Sequence, residues 1–219
     1  RLNHLQLYVE HTFAYVDHEE VWRDASPLTA DDLRWLDGLC AERGIELAAN
    51  QNCFGHMERW LAHDTYRPRA ELPGGLELAP GLTLSPSTLA PTEDNARFAL
   101  DLLAEQQAAL SGRTVNIGCD ETFELGRGAS ADAVAERGAA DVWAEHVARL
   151  AEPLVDGGHR VLFWDDVVRR HPEALRRLPD DAVALSWWYE EPQRELPVAD
   201  LSPEIRALVA RIGLDLDEW

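Results

Sequence analysis

Apolar, strand-like runs alternate with helical periodicities along most of this chain, and that alternation constrains its fold more than any other feature. Residues 3–9 (NHLQLYV) read as a strand. Thr29 and Asp32 form a capping box for a helix to about Arg43, with Leu33, Leu36, Leu39 and Cys40 on one face and Gly44 ending it. Residues 45–50 (IELAAN) make a second strand. The Pro/Gly-rich excursion over 68–91 is too long for a simple connection and reads as a loop near a site or at a barrel end. A helix over about 92–110 carries Phe98, Leu102, Leu103 and Leu110. The strand opening at Thr114 follows it, and then a helix over about 131–156 carries Val142, Trp143, Val147 and Leu150. After Gly157 and Gly158 come strands over 160–164 (RVLFW) and 182–187 (AVALSW).

Five strands separated by helices predict one parallel α/β domain with right-handed crossovers. An eight-stranded barrel typically takes about 250 residues, so five units leave either an open sheet or a fragment of a barrel. With 219 residues, 46% of them hydrophobic, the chain can bury a real core. No apolar run is long enough to span a membrane, and the first residues lack the order of a signal peptide. The chain opens on Arg1 rather than Met, so the N-terminus is expected upstream, and localisation stays unknown between a soluble cytoplasmic and a secreted protein.

A formal charge of −20 speaks against nucleic acid and anionic membrane as partners, because phosphate contacts need clustered cations. All twenty cations are Arg, which carries no catalytic message. Cys40, Cys53 and Cys119 are odd in number, far apart and without CxxC spacing, so buried free thiols are expected.

The stretch TVNIGCDETFEL over 114–125 is a β-branched run that breaks at Gly118 and Cys119 and delivers Asp120 and Glu121 side by side. Neighbouring strand residues face opposite ways, so two adjacent acids serve one ligand only where the strand is already breaking up. In parallel α/β folds that carboxyl end is where ligands bind. The other strand ends bring Glu10 and His11, Asn52 and His56, Trp164 with Asp165 and Asp166, and Trp187 with Trp188. Carboxylates with aromatic rings suit a carbohydrate, since acids act on the glycosidic bond and rings stack on the C–H faces of a pyranose. An isolated Asp-Glu is weak evidence in a chain with 40 acidic residues, and an isolated His56 is more often structural.

These motifs resemble glycoside hydrolase family 20, the β-N-acetylhexosaminidases. The matching segments are NHLQLYVEHTFAY (3–15), NQNCFGHMERW (50–60), VNIGCDETFELG (115–126), LFWDD (162–166) and ALSWWYE (184–190), in the family's order. The resemblance implies a (β/α)8 TIM-type barrel, incomplete in this chain with about five βα units visible: one partial catalytic domain over 1–219, with 191–219 an unassigned helical tail. It implies a retaining, exo-acting enzyme that removes terminal N-acetylhexosamine by substrate-assisted catalysis through an oxazolinium intermediate, with no cofactor and no metal. Family 20 is an exception to the two-carboxylate scheme because the substrate's own amide is the nucleophile.

Glu121 then resembles the general acid/base, and Asp120 the residue that orients the 2-acetamido group. His56, after Gly55, matches the family's Gly-His beside the acid/base. Trp164 and one of Trp187 and Trp188, with Trp187 favoured, match walls of the acetamido pocket. Glu10 and Asn52 complete the substrate-binding set, with Asp165 and His11 behind it. Three departures stand out. The family's two consecutive Asp at the first strand end are Glu10, His11 and Thr12 here, its sugar-binding Arg would lie upstream of Arg1, and its later Tyr and Asp cannot be located after Glu190. Two other readings compete. One is a noncatalytic carbohydrate-binding or degenerate barrel. The other is a metal-dependent hydrolase using His4, His11, His18, His56 and His63, which has neither a His-x-His strand end nor HExxH in its favour.

Overall fold

The computed structural model describes residues 2–187 and Pro203. β1 (His4–Gln6) leads through α1 (Glu19–Trp22) and α2 (Ala30–Ala41) to β2 (Glu46–Asn50). α3 (Glu58–Leu61) and an antiparallel hairpin of β3 (Leu76–Ala79) and β4 (Leu82–Leu84) precede α4 (Glu93–Gln107) and β5 (Thr114–Asn116). α5 (Ala131–Arg137), α6 (Ala139–Asp156), β6 (Arg160–Trp164), α7 (Asp166–Arg170) and β7 (Val183–Leu185) follow.

β1, β2, β5, β6 and β7 form one parallel sheet in that spatial order, the order of the chain. Right-handed crossovers that always step the same way place every connecting helix on one side of the sheet. The packing agrees. Ala49, Val115, Ile117, Val161 and Phe163 from the outer face share one core with Leu33 of α2, Leu102 and Leu103 of α4, and Trp143, Val147 and Leu150 of α6. A sheet covered by helices on one face and advancing in sequence order is an arc of a (β/α)8 barrel, not a doubly wound sheet, whose order reverses. On the opposite face the amides of Asn50 and Asn116 both donate to Gln6 Oε1, at 3.0 and 2.8 Å, tying three strands together.

The local reasons follow the sequence closely at α2. Thr29 Oγ1 accepts from Asp32 N at 3.2 Å while Asp32 Oδ2 accepts from Thr29 N at 2.8 Å, and Leu33 and Cys40 are buried. Thr92 caps α4 through a single bond, its Oγ1 accepting from Asn95 N at 3.2 Å. Two expectations are corrected. The helix expected over 131–156 is two helices, because Gly138 adopts φ +86° and ψ 153°, a backbone conformation essentially confined to glycine. The excursion expected to be loop contains the hairpin, in which Leu76-Glu77-Leu78 and Leu82-Thr83-Leu84 alternate on either side of Pro80-Gly81. Trp188 and the tail over 191–219 lie outside the described residues, apart from Pro203. Among the described residues no helix is long and apolar enough to cross a membrane.

Candidate active site

The parallel sheet ends, at the carboxyl side of β5, in a backbone no regular strand could follow. Gly118, Cys119 and Glu121 have φ of +67°, +72° and +50°, and His56, in the loop after β2, has φ +56°. For residues with a Cβ this left-handed region costs of order 1 kcal/mol or more each, and it persists only where neighbouring contacts hold it. Here the neighbours are specific. The Trp143 indole donates to Cys119 O at 2.8 Å, and Asp166 Oδ2 accepts from Glu121 N at 3.1 Å. A Cβ on Gly55 would lie 2.2 Å from Asp120 O, so only glycine lets the loop carrying His56 close onto the acid pair.

His56 Nε2 sits between the two acids, 3.4 Å from Asp120 Oδ2 and 3.3 Å from Glu121 Oε2. Hydrogen bonding to Asp120 and then to Glu121, helped by their charge and opposed by partial burial, pushes the imidazole up to about 10. It is therefore an imidazolium at neutral pH. Asp120 is buried, and its Oδ1 has no hydrogen-bond partner among the described residues. Burial, with the charges of Asp120 and Glu121, raises the Asp166 carboxyl to about 6, against the stabilising hydrogen bond from Glu121 N.

Three of the expected residues thus meet directly: Asp120, Glu121 and His56. Glu10, His56 and Glu58 bring one potential ligand atom each within 4.8 Å of one another, so both glutamates lie near the histidine. Asn52 is fully buried, donates its amide to the Tyr8 hydroxyl at 2.7 Å, and lies so close under Gly118 that a Cβ there would fall 2.3 Å from Asn52 Oδ1. His11 lies toward Glu10, Glu58 and Arg59, and burial lowers its ionisation.

Trp164 is half-buried, and strand alternation puts it on the face opposite Phe163, away from the helices. Trp187 is half-buried with the Arg169 guanidinium 6.0 Å above its ring. Asp165 turns toward β7, accepting from Ser186 Oγ at 2.6 Å and lying 3.5 Å from Arg169 Nη1. Its neighbour Asp166 is the one that touches the acid loop, a distinction that two adjacent identical letters cannot carry. Tyr8, not singled out from the sequence, stands half exposed at the end of β1 with its ring edge-on to His56 at 6.3 Å. Its hydroxyl donates toward Glu10 Oε1 at 3.3 Å. Its place two residues before Glu10 was the available clue.

No family model matches the chain, and no curated protein matches it in sequence. Solved structures do match. The chain is similar to the chitobiase of Flavobacterium johnsoniae at TM-score 0.67 and 16% identity, over 85% of this chain and 29% of that one. It is similar to the family 20 β-N-acetylhexosaminidase of Streptomyces coelicolor at TM-score 0.59 and 17% identity, over 95% of this chain and 39% of that one. It also matches a mutant β-hexosaminidase of Streptomyces plicatus in complex with its product N-acetylglucosamine, at TM-score 0.62 and 15% identity, over 96% and 39%. At such identities the likeness establishes the fold, and the chain spans 29% to 39% of the length of these structures.

Proposed function

We propose that this chain is a partial catalytic barrel domain of a retaining, exo-acting β-N-acetylhexosaminidase working by substrate-assisted catalysis. The observation that carries the reading is the meeting of Asp120, Glu121 and His56 at the carboxyl end of the parallel sheet, with Glu121 and His56 in left-handed backbone conformations. The motif resemblance and the barrel fold point the same way.

In the proposed reaction Glu121 gives its proton to the leaving-group oxygen as the C1–O bond breaks, and the electron pair of that bond stays on the oxygen. The acetamido carbonyl oxygen of the substrate attacks C1 from the opposite face and forms an oxazolinium. Asp120 accepts from the acetamido N–H, with the buried Oδ1 as the open acceptor, and its charge stabilises the developing cation. Water then opens the ring at C1 while Glu121 takes back a proton, so configuration is retained. Trp164 and one of Trp187 and Trp188, with Trp187 favoured, are assigned to the walls around the acetamido methyl. Tyr8 and Glu10 line the β1 side, and Asn52 supports Tyr8 from beneath.

The test is turnover of chitobiose and of a nitrophenyl N-acetyl-β-glucosaminide by the full-length protein and by Glu121→Gln. Loss of a general acid costs about 10²–10⁴-fold, and the loss should be deeper for chitobiose, whose leaving group needs the proton more. Full activity in Glu121→Gln, or an equal loss on both substrates, would remove Glu121 from the role of acid. The Glu10, His56 and Glu58 grouping is the one observation that favours a metal-dependent hydrolase. Wild-type turnover abolished by a chelator and restored by a divalent cation would establish that reading instead. Binding of N-acetylglucosamine without turnover would mark a noncatalytic barrel.

A further inference from the structure

Two buried carboxylates take no part in the proposed chemistry. Glu71, in the excursion after β2, is fully buried, and Glu124, three residues after Glu121, is 2% exposed. Each reaches into the other's loop. Glu71 Oε1 accepts from Gly126 N at 3.2 Å, Gly128 N at 3.1 Å, Ser130 N at 3.0 Å and Ser130 Oγ at 2.7 Å. Glu124 accepts from Ser87 N at 3.0 Å through Oε1 and from Thr88 N at 3.0 Å through Oε2. Backbone bonds close the circle: Ala129 N donates to Glu71 O at 2.9 Å, and Glu71 N donates to Thr88 O at 2.8 Å. The fit is tight enough that a Cβ on Gly128 would fall 1.9 Å from Glu71 O.

The segment gripped by Glu124 is also the one that brackets His56. Met57 N donates to Ser87 O at 2.8 Å and Leu89 N donates to Phe54 O at 2.9 Å, one bond on each side of the Gly55–His56 turn. A continuous path therefore runs from the loop bearing the acid pair, through Glu124, to the loop bearing the histidine. Only an acceptor-only group suits this place, because several N–H donors converge on each carboxylate and an amide would turn a donor of its own against them. Burying two carboxylates near one another costs several kcal/mol, a high price for simple loop closure. Burial and the nearby Glu71 raise the Glu124 carboxyl, which registers that cost.

We propose that Glu71 and Glu124 are positioning residues: a reciprocal clasp that holds the loop over 119–130 against the loop over 54–57 and thereby sets the contact between Glu121 and His56. The strained backbone at Cys119 and Glu121 does not hold that geometry unaided. For its activity readout this rests on the function proposed above, but the geometry it predicts can be read without turnover.

The experiment uses Glu124→Gln and Glu71→Gln in the full-length protein, with the His56 imidazole followed by NMR titration and assigned by its loss in His56→Gln. In the wild type the two carboxylates should hold His56 far above the ordinary histidine range, up to about 10. In the clasp variants it should fall by about one unit or more toward the ordinary histidine range, as its two carboxylates move away. On the hexosaminidase reading, kcat falls about tenfold or more while KM stays within about twofold, since misplacing a catalytic group by an ångström costs rate more than binding. If the glutamine variants do not fold, Ser130→Ala removes only the hydroxyl that donates to Glu71, and should move His56 and kcat in the same direction by less. A wild-type His56 titration in a folded clasp variant, with lowered thermal stability alone, overturns the proposal. A wild type that does not turn over hexosaminides overturns the function but not the clasp, which the titration still decides.

Discussion

Acid should destabilise this protein through a histidine that has nothing to do with its proposed chemistry. His146 of α6 is fully buried with its ring 4.2 Å from that of Phe54 and the backbone of Cys53 beside it as a polar neighbour. Burial, reinforced by the charge of Arg149, lowers it from 6.5 to about 4. The unfolded chain therefore binds a proton in the window between these values that the folded chain refuses. Stability from this source is complete above about pH 6.5 and is lost as pH falls toward 4, where the loss levels off. At 1.36 kcal/mol per unit, the whole window is worth about 3 kcal/mol, of which about 2 kcal/mol is gone by pH 4.5. The perturbation is His146→Leu, which keeps the volume and removes the titration. Urea unfolding at about pH 7 should find the variant within about 1 kcal/mol of wild type, since leucine has a similar volume and the desolvation cost of the buried ring is lost along with its polar contact. At about pH 4.5 the variant should be the more stable by about 2 kcal/mol beyond any difference at neutral pH. Both proteins share every other acid-sensitive group, so the double difference isolates His146. Parallel pH dependences in the two proteins would refute the reasoning.

Asp120→Asn should lower kcat by at least about tenfold more than it raises KM, because its charge acts on the developing cation; steady-state kinetics showing an unchanged rate would exclude that role. Gly55→Ala places a methyl 2.2 Å from the Asp120 carbonyl oxygen. It should cost about 1–3 kcal/mol in unfolding experiments and lower kcat at the same time, and a variant with wild-type stability and rate would contradict the close approach of these two loops.

The strands and the acid pair were legible because the signals are local. Thr29 and Asp32 lie three residues apart and make the contact their spacing predicts. Asp120 and Glu121 follow a β-branched run and a Gly-Cys break, and the left-handed φ values at 118, 119 and 121 are the structural form of that break. Other features depended on contacts remote in sequence. Glu71 meets Ser130 across 59 residues, and nothing distinguishes its letter among 40 acids. Asp165 and Asp166 are equal on paper, and only the turn into α7 sends one to Ser186 and the other to Glu121. The hairpin differs in kind, because the alternation around Pro80-Gly81 is visible in the sequence while the abundance of Pro and Gly points to loop. A single glycine such as Gly138 is normally tolerated in a helix and gives no local sign of a break.

The histidine between the acids sharpens the proposed chemistry. The imidazolium lies 3.3 Å from Glu121 Oε2 and 3.4 Å from Asp120 Oδ2, and on the proposed reading the leaving-group oxygen takes its proton from Glu121. The same geometry offers a source for that proton on the proposed reading. When the acetamido N–H takes over Asp120, His56 loses the partner that contributes most to its high basicity, and the substrate excludes the water that solvates the imidazolium. Both changes lower its affinity for the proton, and Glu121 Oε2 is the carboxylate still within reach. Asp166 sits behind the Glu121 backbone, accepting from its N–H, with its own carboxyl raised to about 6 by burial and the two nearby acids. Substrate binding would thus move the proton from histidine to glutamate, making Glu121 an acid only when a glycosidic oxygen is in place to receive it.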